Sequence, residues 1–319
     1  MKAAVVSSFD SAPRYAEFPV PVPEGPHAML IEVLAAGLHP RVRAQADGSH
    51  YTSTHELPLV PGIDGVGRGA DGLLRYFVLP DTTMGAMAEH TVIDSRRSIV
   101  LPETCDPLAV AAAMNPAMSS WIALSRRIRF QAGSNVLILG ATGSAGQLAV
   151  QVARLFGAGQ IIAVARDADR LAGLTALGAT HTVLLGGDAE ADARRLGEVA
   201  TEVDVVLDYL WGAPTAAAIS ALTSRRADPE QPLTWIEIGS SAGVTASIPS
   251  EALRSIPLQL VGSGQGSVGP RDILAVLPAL VQEITAGTFS IDVRPVPLAD
   301  VELAWADAVT STRRIVLTP

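Results

Sequence analysis

Residues 135–158 read NVLILGATGSAGQLAVQVARLFGA and carry the clearest indication of the fold. Strand-type residues, Asn135 to Leu139, lead into the turn GATGSAG, Gly140 to Gly146. An amphipathic helical pattern starts near Ala145, and Gly157 caps its C-terminal end. A strand, a glycine-rich turn and a helix in this order predict the phosphate-binding turn of a Rossmann unit.

The turn carries a variant of the G-x-G-x-x-G pattern. Ala141, Gly143 and Gly146 occupy its three glycine positions, with Gly140 just before the first. A backbone that approaches a pyrophosphate tolerates little side chain, and the helix that follows directs its first N–H groups at the anion. A tight turn without a ligand is the alternative for an isolated match, but the alternating strands that follow favour nucleotide binding. The expected cofactor contacts are Ala141, Thr142, Gly143, Ser144, Ala145 and Gly146.

From this stretch onward, apolar runs of strand type alternate with segments of helical spacing. The helix after the second run ends at Gly178. The runs are Asn135 to Leu139, Gln160 to Ala165, His181 to Leu185, Val203 to Leu207, Leu233 to Ile238 and Leu258 to Val261. Such alternation is typical of a parallel sheet with helices on both faces. The sequence therefore predicts an α/β protein with a Rossmann doubly wound parallel sheet in residues 118–267.

The first 117 residues differ, because short β-type runs are separated there by proline- and glycine-rich turns. Lys2 to Val6, Ala28 to Leu34 and Met87 to Ile93 are such runs. Two further β runs, around Val293 to Pro297 and Arg314 to Leu317, follow an apolar helix near the end of the chain. We therefore expect a β-rich domain of residues 1–117, completed by about 268–319.

Composition excludes several classes of protein. Of 319 residues, 48% are hydrophobic and 17% charged, which is the balance of a packed rather than a disordered chain. The formal net charge of −9 offers no basic surface for a phosphate backbone, so we expect no nucleic-acid partner. The single cysteine, Cys105, excludes an intramolecular disulfide. Polar residues interrupt every apolar run short of a membrane span, and Lys2 is followed by no secretory signal, so we expect a cytoplasmic protein.

The end of the second Rossmann strand indicates which dinucleotide binds. An acidic residue about 20 positions beyond the glycine turn accepts hydrogen bonds from a ribose 2′-OH, whereas arginine suits a 2′-phosphate. Arg166 stands there, Asp167 is placed to cap the next helix, and Arg170 lies one helical turn further. Ordinary surface arginines are the alternative. We predict NADPH, since each charge-assisted hydrogen bond to the phosphate contributes ~1.5–3 kcal/mol.

Five segments taken in order carry a resemblance to a known family. They are LPLVPGIDGVG (Leu57 to Gly67), MGAMAEHTVI (Met84 to Ile93), residues 135–158, LGATHTV (Leu177 to Val183) and VDVVLDYL (Val203 to Leu210). They resemble the medium-chain dehydrogenases/reductases, in the zinc-independent branch of quinone oxidoreductases and enoyl reductases. The resemblance covers nearly the whole chain. It implies that the N-terminal part is a GroES-like β-barrel domain and that the active site lies beside the Rossmann domain.

The chain departs from zinc-dependent members of that family at the metal ligands. Those members have a cysteine at the position of His39 and Gly-His-Glu where this chain has Gly62-Ile63-Asp64. Ile63 cannot coordinate zinc, and a lone histidine lacks companion ligands. We therefore predict no metal. Without a Lewis acid, quinones and polarised C=C bonds are better acceptors than simple ketones, because delocalisation spreads the charge that hydride delivery creates.

The resemblance also nominates residues around the substrate. Tyr51 matches a tyrosine thought to donate a proton in enoyl-thioester reductases; the alternative is a tyrosine that lines the site or packs under its loop. Asn115, before Pro116, resembles an Asn-Pro segment near the nicotinamide, or it caps the helix that contains Trp121. His39 contacts the nicotinamide or the substrate, or it is a half-exposed loop histidine.

Three further positions are expected beside the nicotinamide. Gly239 and Ser240 follow the fifth strand, and Gly264 follows the sixth; glycine there permits close backbone approach, or simply a tight turn. Related reductases dimerise edge to edge through the last Rossmann strand, so we expect a homodimer through Leu258 to Val261.

We predict an NADPH-dependent, zinc-independent oxidoreductase that reduces a small molecule, a quinone or an α,β-unsaturated carbonyl. An enoyl-thioester reductase and a nucleotide-binding sensor without turnover remain the alternatives, because a fold does not by itself carry a function.

Overall fold

The computed structural model describes all 319 residues, Met1 to Pro319. The strands are β1 (Lys2–Val5), β2 (Arg14–Glu17), β3 (Ala28–Gly37), β4 (Asp64–Gly69), β5 (Leu74–Val78), β6 (His90–Asp94), β7 (Ser98–Val100), β8 (Val136–Leu139), β9 (Ile161–Ala165), β10 (His181–Leu184), β11 (Val205–Asp208), β12 (Leu233–Glu237), β13 (Leu258–Gly262), β14 (Val293–Pro297) and β15 (Arg314–Thr318). The α-helices are α1 (Pro40–Ala46), α2 (Pro107–Ile122), α3 (Ser144–Leu155), α4 (Ala168–Leu177), α5 (Ala189–Val199), α6 (Gly212–Ser224), α7 (Ala252–Ser255), α8 (Pro270–Thr285) and α9 (Val301–Asp307).

The chain divides into two compact units. The first comprises Met1–Asn115 together with Leu277–Pro319, and the second comprises Pro116–Val276. Both divisions fall inside helices, α2 and α8, rather than in loops.

The second unit is built on a six-stranded parallel sheet. Its strand order is β10-β9-β8-β11-β12-β13. The chain forms the central strand β8 first, adds β9 and β10 toward one edge, and then adds β11, β12 and β13 toward the other edge. All four residues of β8 are buried because both faces of the sheet are covered. This order is that of the doubly wound nucleotide-binding fold, and it confirms the predicted α/β class.

The helix ends of this unit follow their local signals. Gly157 takes a positive φ of 79° just after α3, and its N–H donates to Arg154 O over 3.0 Å. Gly178 closes α4 in the same way, with a φ of 121°. Both glycines were predicted as caps, because only glycine adopts this backbone region without strain.

The first unit contains a seven-stranded mixed sheet. Its order is β14-β15-β3-β4-β5-β7, with β6 paired to β3, and a separate two-stranded sheet joins β1 to β2. The last strand of the chain, β15, is antiparallel to β3 and parallel to β14. The C-terminal segment therefore belongs to the same sheet as the N-terminal strands.

One helical segment, Pro107–Arg127, is long and apolar enough to cross a membrane by length and composition alone, with a mean hydropathy of 1.2. In this structure 67% of the most apolar 18-residue stretch of this segment is buried within the protein. Burial of this kind is what a core helix of a globular protein shows.

Candidate functional site

The predicted glycine loop lies at the carboxyl end of β8, the first central strand of the parallel sheet. Gly140 follows Leu139 with a φ of 83°, and its N–H donates to Val164 O over 3.0 Å. Gly143 then caps α3 with an extended backbone, φ −69° and ψ 160°. The N–H groups at the start of α3 thus point away from the sheet at the switch point of the strand order, where this fold binds its ligands.

The second and third pattern glycines meet different surroundings. A Cβ on Gly146 would lie 2.3 Å from Gly140 O and 2.6 Å from Ala141 Cα, so glycine there allows the helix to pack on the loop. A Cβ on Gly143 would meet only Gly140 O, at 3.6 Å. Apart from its two chain neighbours, no other protein atom lies within 4 Å of that position, which leaves room for a phosphate there.

The two predicted arginines differ in their contacts. Arg166 is exposed directly after β9 and makes no hydrogen bond or ion pair with the protein. Arg170 is half-buried, and its Nη2 donates to Thr142 O in the glycine loop over 2.6 Å. Asp167 caps α4, because its carboxylate accepts from Arg170 N over 3.1 Å. The capping interpretation of Asp167 is therefore confirmed, and the Arg170 guanidinium lies against the glycine loop.

The loop after β11 is held by a buried carboxylate. Asp208 is fully buried, and its Oδ1 accepts from the N–H groups of Leu210 and Trp211 at 2.8 and 3.0 Å. Its Oδ2 accepts from Thr215 Oγ1 at 2.5 Å and Trp235 Nε1 at 2.9 Å. Four donors satisfy this carboxylate, and they fix the backbone that faces the glycine loop across the switch point.

Tyr209 follows Asp208 and closes one side of the glycine loop. A Cβ on Gly140 would lie 3.3 Å from Tyr209 Cβ, and the tyrosine hydroxyl lies 3.0 Å from Ser119 Oγ. Burial raises the pKa of Tyr209 to about 12, so the phenol stays protonated. Tyr209 is not among the predicted site residues, and the one signal for it in the sequence is its place directly after a parallel strand.

The remaining predicted nicotinamide-side positions also follow parallel strands. Gly239 lies after β12, and its N–H donates to Asp208 O over 3.2 Å. Ser240 is exposed next to it. Gly264 lies in a turn after β13, where its N–H donates to Ser267 Oγ over 2.8 Å. The structure thus brings the loops of β8, β9, β11, β12 and β13 to one edge of the sheet, as parallel strands require.

In the first unit, His39 belongs to a buried hydrogen-bonded network. The His39 side chain is 3% exposed and that of Asp64 is 1% exposed, and Nε2 lies 2.8 Å from Asp64 Oδ1. The Tyr76 hydroxyl donates to Asp64 Oδ2 over 2.7 Å. The alternative of a half-exposed loop histidine is therefore wrong, because the ring is enclosed between α1 and the sheet.

The carboxyl group of this network has an altered acidity. Burial raises the pKa of Asp64 to about 7, although the Tyr76 hydrogen bond and the charge of Arg41 act in the opposite direction. Burial and the neighbouring carboxylate raise the pKa of Tyr76 well above its usual value. The sequence marks Asp64 only as a missing zinc ligand, and it carries no signal for Tyr76.

Tyr51 and Asn115 lie in the same unit as His39. Tyr51 is 73% exposed, and its ring stacks on His50 with centroids 4.4 Å apart. Asn115 is half-buried inside α2, so the alternative that it caps a helix is wrong, because the helix begins at Pro107 and continues through Pro116.

Contacts within the unit relate these residues to His39. The charge of Arg41 acts on both His50 and Asp64, which places the Tyr51–His50 stack and the buried network near one guanidinium. A Cβ on Gly37 would lie 2.9 Å from His39 Nε2 and 2.8 Å from Ala111 O, one helical turn before Asn115.

No group of three or more His, Cys, Asp or Glu side chains in the chain is arranged to hold a metal ion. At the metal position of zinc-dependent relatives, Ile63 is a buried apolar side chain and Nε2 of His39 is bonded to Asp64.

Comparison with known proteins finds similar chains among the dehydrogenases and reductases. The family model described as Zinc-binding dehydrogenase matches residues 145–225, which lie in the second unit. The Probable NADPH-dependent quinone reductase tdiC of Emericella nidulans is 30% identical over 362 aligned positions, and the alignment covers 100% of both chains. A Quinone oxidoreductase of Rattus norvegicus is 33% identical over 147 residues, 43% of this chain and 44% of that protein.

Solved structures extend the likeness to the complete fold. The Quinone Oxidoreductase from Thermus thermophilus, determined alone and in complex with NADPH, has a TM-score of 0.78 and 24% sequence identity. The match covers 100% of both chains, so the two-unit architecture as a whole is shared.

Proposed function

The chain belongs to the quinone oxidoreductase branch of the medium-chain dehydrogenases/reductases and is an oxidoreductase, and from this premise we propose that it is an NADPH-dependent, zinc-independent reductase of quinones or α,β-unsaturated carbonyls. The open space beside Gly143, in front of the first N–H groups of α3, is the observation that carries the proposal. A Cβ at position 143 would occupy this space.

The residues present fit NADPH. Arg166 has no protein partner, and Arg170 is anchored on the loop carbonyl of Thr142, so two cations are available beside the predicted ribose position. The chain has a single lysine, Lys2, which pairs with Glu17 over 2.8 Å, so only arginines can supply this charge. The relative from Emericella nidulans is named as NADPH-dependent, which supports the same cofactor here.

When bound, NADPH supplies a hydride, and the protein's part is to orient the acceptor and exclude water. The glycine loop would hold the pyrophosphate of NADPH, and Arg166 would hold its 2′-phosphate. Gly239, Ser240 and Gly264 would lie beside the nicotinamide, and His39, Tyr51 and Asn115 would lie on the substrate side. The sequence resemblance nominates Tyr51 as the proton donor.

Zinc independence rests on the donor set. Ile63 contributes no ligand, and Nε2 of His39 is already used by Asp64, which leaves no three-ligand site. Activity that survives dialysis against a chelator, with less than a stoichiometric amount of zinc by mass spectrometry, is the expected result. A stoichiometric metal that survives chelation would overturn this part of the proposal.

The test of function is a panel of acceptors assayed by NADPH oxidation with a chelator present. Naphthoquinones and alkenals should turn over, and saturated aldehydes should not. An enoyl thioester serves as the arm for the related reductase activity suggested by Tyr51 and Asn115. Turnover of the thioester alone would reassign the chain to that activity, and NADPH binding without turnover would indicate a sensor.

We also propose a cytoplasmic homodimer, for which β13 supplies the contact. This strand is an edge of the six-stranded sheet and pairs only with β12. An apolar edge with unpaired backbone groups is a template for another strand. A second copy of the chain satisfies it symmetrically.

A further inference from the structure

The edge strand β13 of the second unit presents an uneven row of backbone groups. Ser263 N, just after the strand, donates to Glu237 O on β12 over 2.8 Å, so the odd-numbered residues of β13 face β12. The backbone groups of Leu258, Leu260 and Gly262 therefore face away from the sheet. Groups of this kind pair with another strand unless the chain itself satisfies them.

The chain satisfies two of these outward groups. The N–H of Leu258 donates to Ile256 O over 2.8 Å. The C=O of Gly262 accepts from Arg127 Nε over 2.7 Å. The groups left without a partner are the C=O of Leu258, the N–H and C=O of Leu260 and the N–H of Gly262. The edge thus offers two donors and two acceptors, in an arrangement centred on Leu260.

Arg127 reaches this edge from a distinct local structure. A π-helical turn, Ala123–Arg127, follows α2, and Arg127 is its last residue. Besides Gly262 O, the guanidinium binds the turn after β13, because its Nη1 donates to Ser267 O over 3.3 Å. Single π-helical turns are rare and occur frequently at functional positions. Here the turn delivers a side chain that takes one carbonyl out of the free edge.

Antiparallel pairing with a second copy has one register that uses every free group. Opposed residues in such a ladder exchange both N–H···O=C bonds. With Leu260 opposite Leu260 of the second copy, these residues exchange two bonds, and the N–H of Gly262 donates to Leu258 O once in each direction, which makes four. The two satisfied groups, Leu258 N–H and Gly262 O, then lie opposite each other. With Leu258 or Gly262 opposite Leu260, only two bonds form.

The side chains agree with this register. Directly opposed side chains lie on the same face of a sheet, so Leu258 of one copy would face Gly262 of the other. A Cβ on Gly262 would meet no atom of its own chain within 4 Å, which leaves space for that leucine. Leu258 and Leu260 pack against the buried core of the second unit. Pairing would therefore continue this apolar layer from one copy into the other.

We propose that Arg127, together with the Leu258 N–H bond, sets the register in which two copies of the chain pair through β13, antiparallel and centred on Leu260. The inference rests on the proposed homodimer, and it adds which residues face each other and what selects that pairing. Arg127 acts as a positioning residue, because its bond to Gly262 O withholds that carbonyl from a shifted strand.

Single cysteines read the register directly in a Cys105→Ser chain, since Cys105 is the only cysteine. Leu260→Cys should link to itself on mild oxidation, because the Cα atoms of such a pair lie about 5.5 Å apart. Gln259→Cys and Val261→Cys should link to each other when mixed. Each alone should link roughly 20-fold less than Leu260→Cys, since a shifted register lacks two bonds and each changes a population about 5-fold.

The outcomes separate the register from the homodimer. Self-linking of Gln259→Cys or Val261→Cys in place of Leu260→Cys would overturn the register and leave the homodimer standing. A monomer mass by light scattering would refute both. A dimer in which none of the three cysteines links would move the interface away from β13 and refute the register as well.

Removal of the Arg127 side chain tests what selects the register. Arg127→Ala frees Gly262 O, so the register with Gly262 opposite Leu260 also forms four bonds. In this background Val261→Cys should link to itself about as readily as Leu260→Cys, a rise of roughly 20-fold. Gln259→Cys should still not link to itself, because the Leu258 N–H stays occupied.

The matched control is Arg126→Ala, which removes an exposed arginine beside Arg127. It should keep the linking pattern of the Arg127 chain. A merely structural Arg127 would lower the melting temperature of Arg127→Ala without changing which cysteines link, and that result would overturn its role in the register. Neither test measures NADPH oxidation, so failure of the proposed reductase would leave both readouts intact.

Discussion

Gly143 and Gly146 stand three residues apart in one loop, but the structure imposes different demands on them. In Gly146→Ala the new Cβ would collide with Gly140 O at 2.3 Å, so the loop must shift and the free energy of unfolding should fall by ~1–3 kcal/mol. In Gly143→Ala the methyl group would meet only Gly140 O, at 3.6 Å, and the φ of −69° suits alanine. Gly143→Ala should therefore keep the melting temperature and lose NADPH affinity at least ~10-fold, since the methyl group takes the space of the phosphate.

Thermal melts and calorimetric NADPH titrations of both variants distinguish the two effects. Gly146→Ala should lose stability and affinity together. If Gly143→Ala bound NADPH as tightly as the unmodified chain, the space beside Gly143 would not be a phosphate site.

We expect Arg166 and Arg170 to determine the choice between NADPH and NADH. Arg166→Ala removes a guanidinium with no protein partner, so the fold should be unaffected while the Kd for NADPH rises ~10–100-fold. Arg170→Ala also removes the hydrogen bond to Thr142 O, so affinity for both cofactors should fall. NADH affinity should stay unchanged in Arg166→Ala. Arg194→Ala, an exposed arginine on α5, is the matched control. An unchanged NADPH/NADH ratio in Arg166→Ala would leave Arg166 as a surface residue.

The raised pKa of Asp64 also makes stability depend on pH. The carboxyl binds its proton with a pKa of about 7 in the folded protein and 3.8 in a model peptide, so the folded state holds more protons between these values. Stability from this group is complete below pH 3.8 and declines as the pH rises to about 7. The side chain of the Asp64→Asn variant does not titrate. Its melting temperature should therefore rise relative to that of the unmodified chain between about pH 4 and about pH 7, by about 2–4 °C for each kcal/mol of stability that the unmodified chain loses. A difference that is constant with pH would show that Asp64 is ionised throughout.

At the level of elements, the parallel strands of the second unit were predictable to within one or two residues. Apolar runs such as Gln160 to Ala165 are bounded by turn residues, and the observed strand is Ile161–Ala165. Helix α2 was not, because both interpretations of Asn-Pro, a segment near the nicotinamide or the cap of the helix that contains Trp121, left out a helix that begins at Pro107. A proline inside a helix removes one hydrogen bond, but α2 is largely buried and its packing compensates.

The His39 network shows why the substrate-side site could be predicted only in part. The position of His39 followed from a resemblance in sequence. Its partners stand 25 and 37 residues away, as 64 − 39 and 76 − 39, and they meet it through the register of β4 and β5. Register depends on the packed sheet rather than on any local pattern, so Tyr76 carried no signal. The glycine loop was predictable because its residues are adjacent in sequence.

At the scale of the whole molecule, β13 leaves one row of backbone groups unpaired. Ser263 N donates to Glu237 O over 2.8 Å, so the odd-numbered residues of this strand face β12. The N–H of Leu260 therefore faces away from the sheet. Arg127 Nε occupies one outward carbonyl, that of Gly262, at 2.7 Å. The N–H of Leu258 also faces away from β12, but it donates to Ile256 O over 2.8 Å. Within Leu258 to Val261, the stretch that the sequence nominated, the backbone groups left for a second copy are therefore the C=O of Leu258 and the N–H and C=O of Leu260.

Leu260→Pro tests this edge without disturbing the bond to β12, because proline removes only the outward N–H. Light scattering of the unmodified chain should give about twice the 33.1 kDa chain mass, and Leu260→Pro should give the monomer mass. Leu260→Ala shortens the side chain but keeps the N–H, so it should remain dimeric if backbone pairing supplies the contact. A Leu260→Pro dimer as stable to dilution as the unmodified one would place the interface elsewhere. A monomeric Leu260→Ala would show that side-chain burial, rather than the strand edge, holds the two copies together.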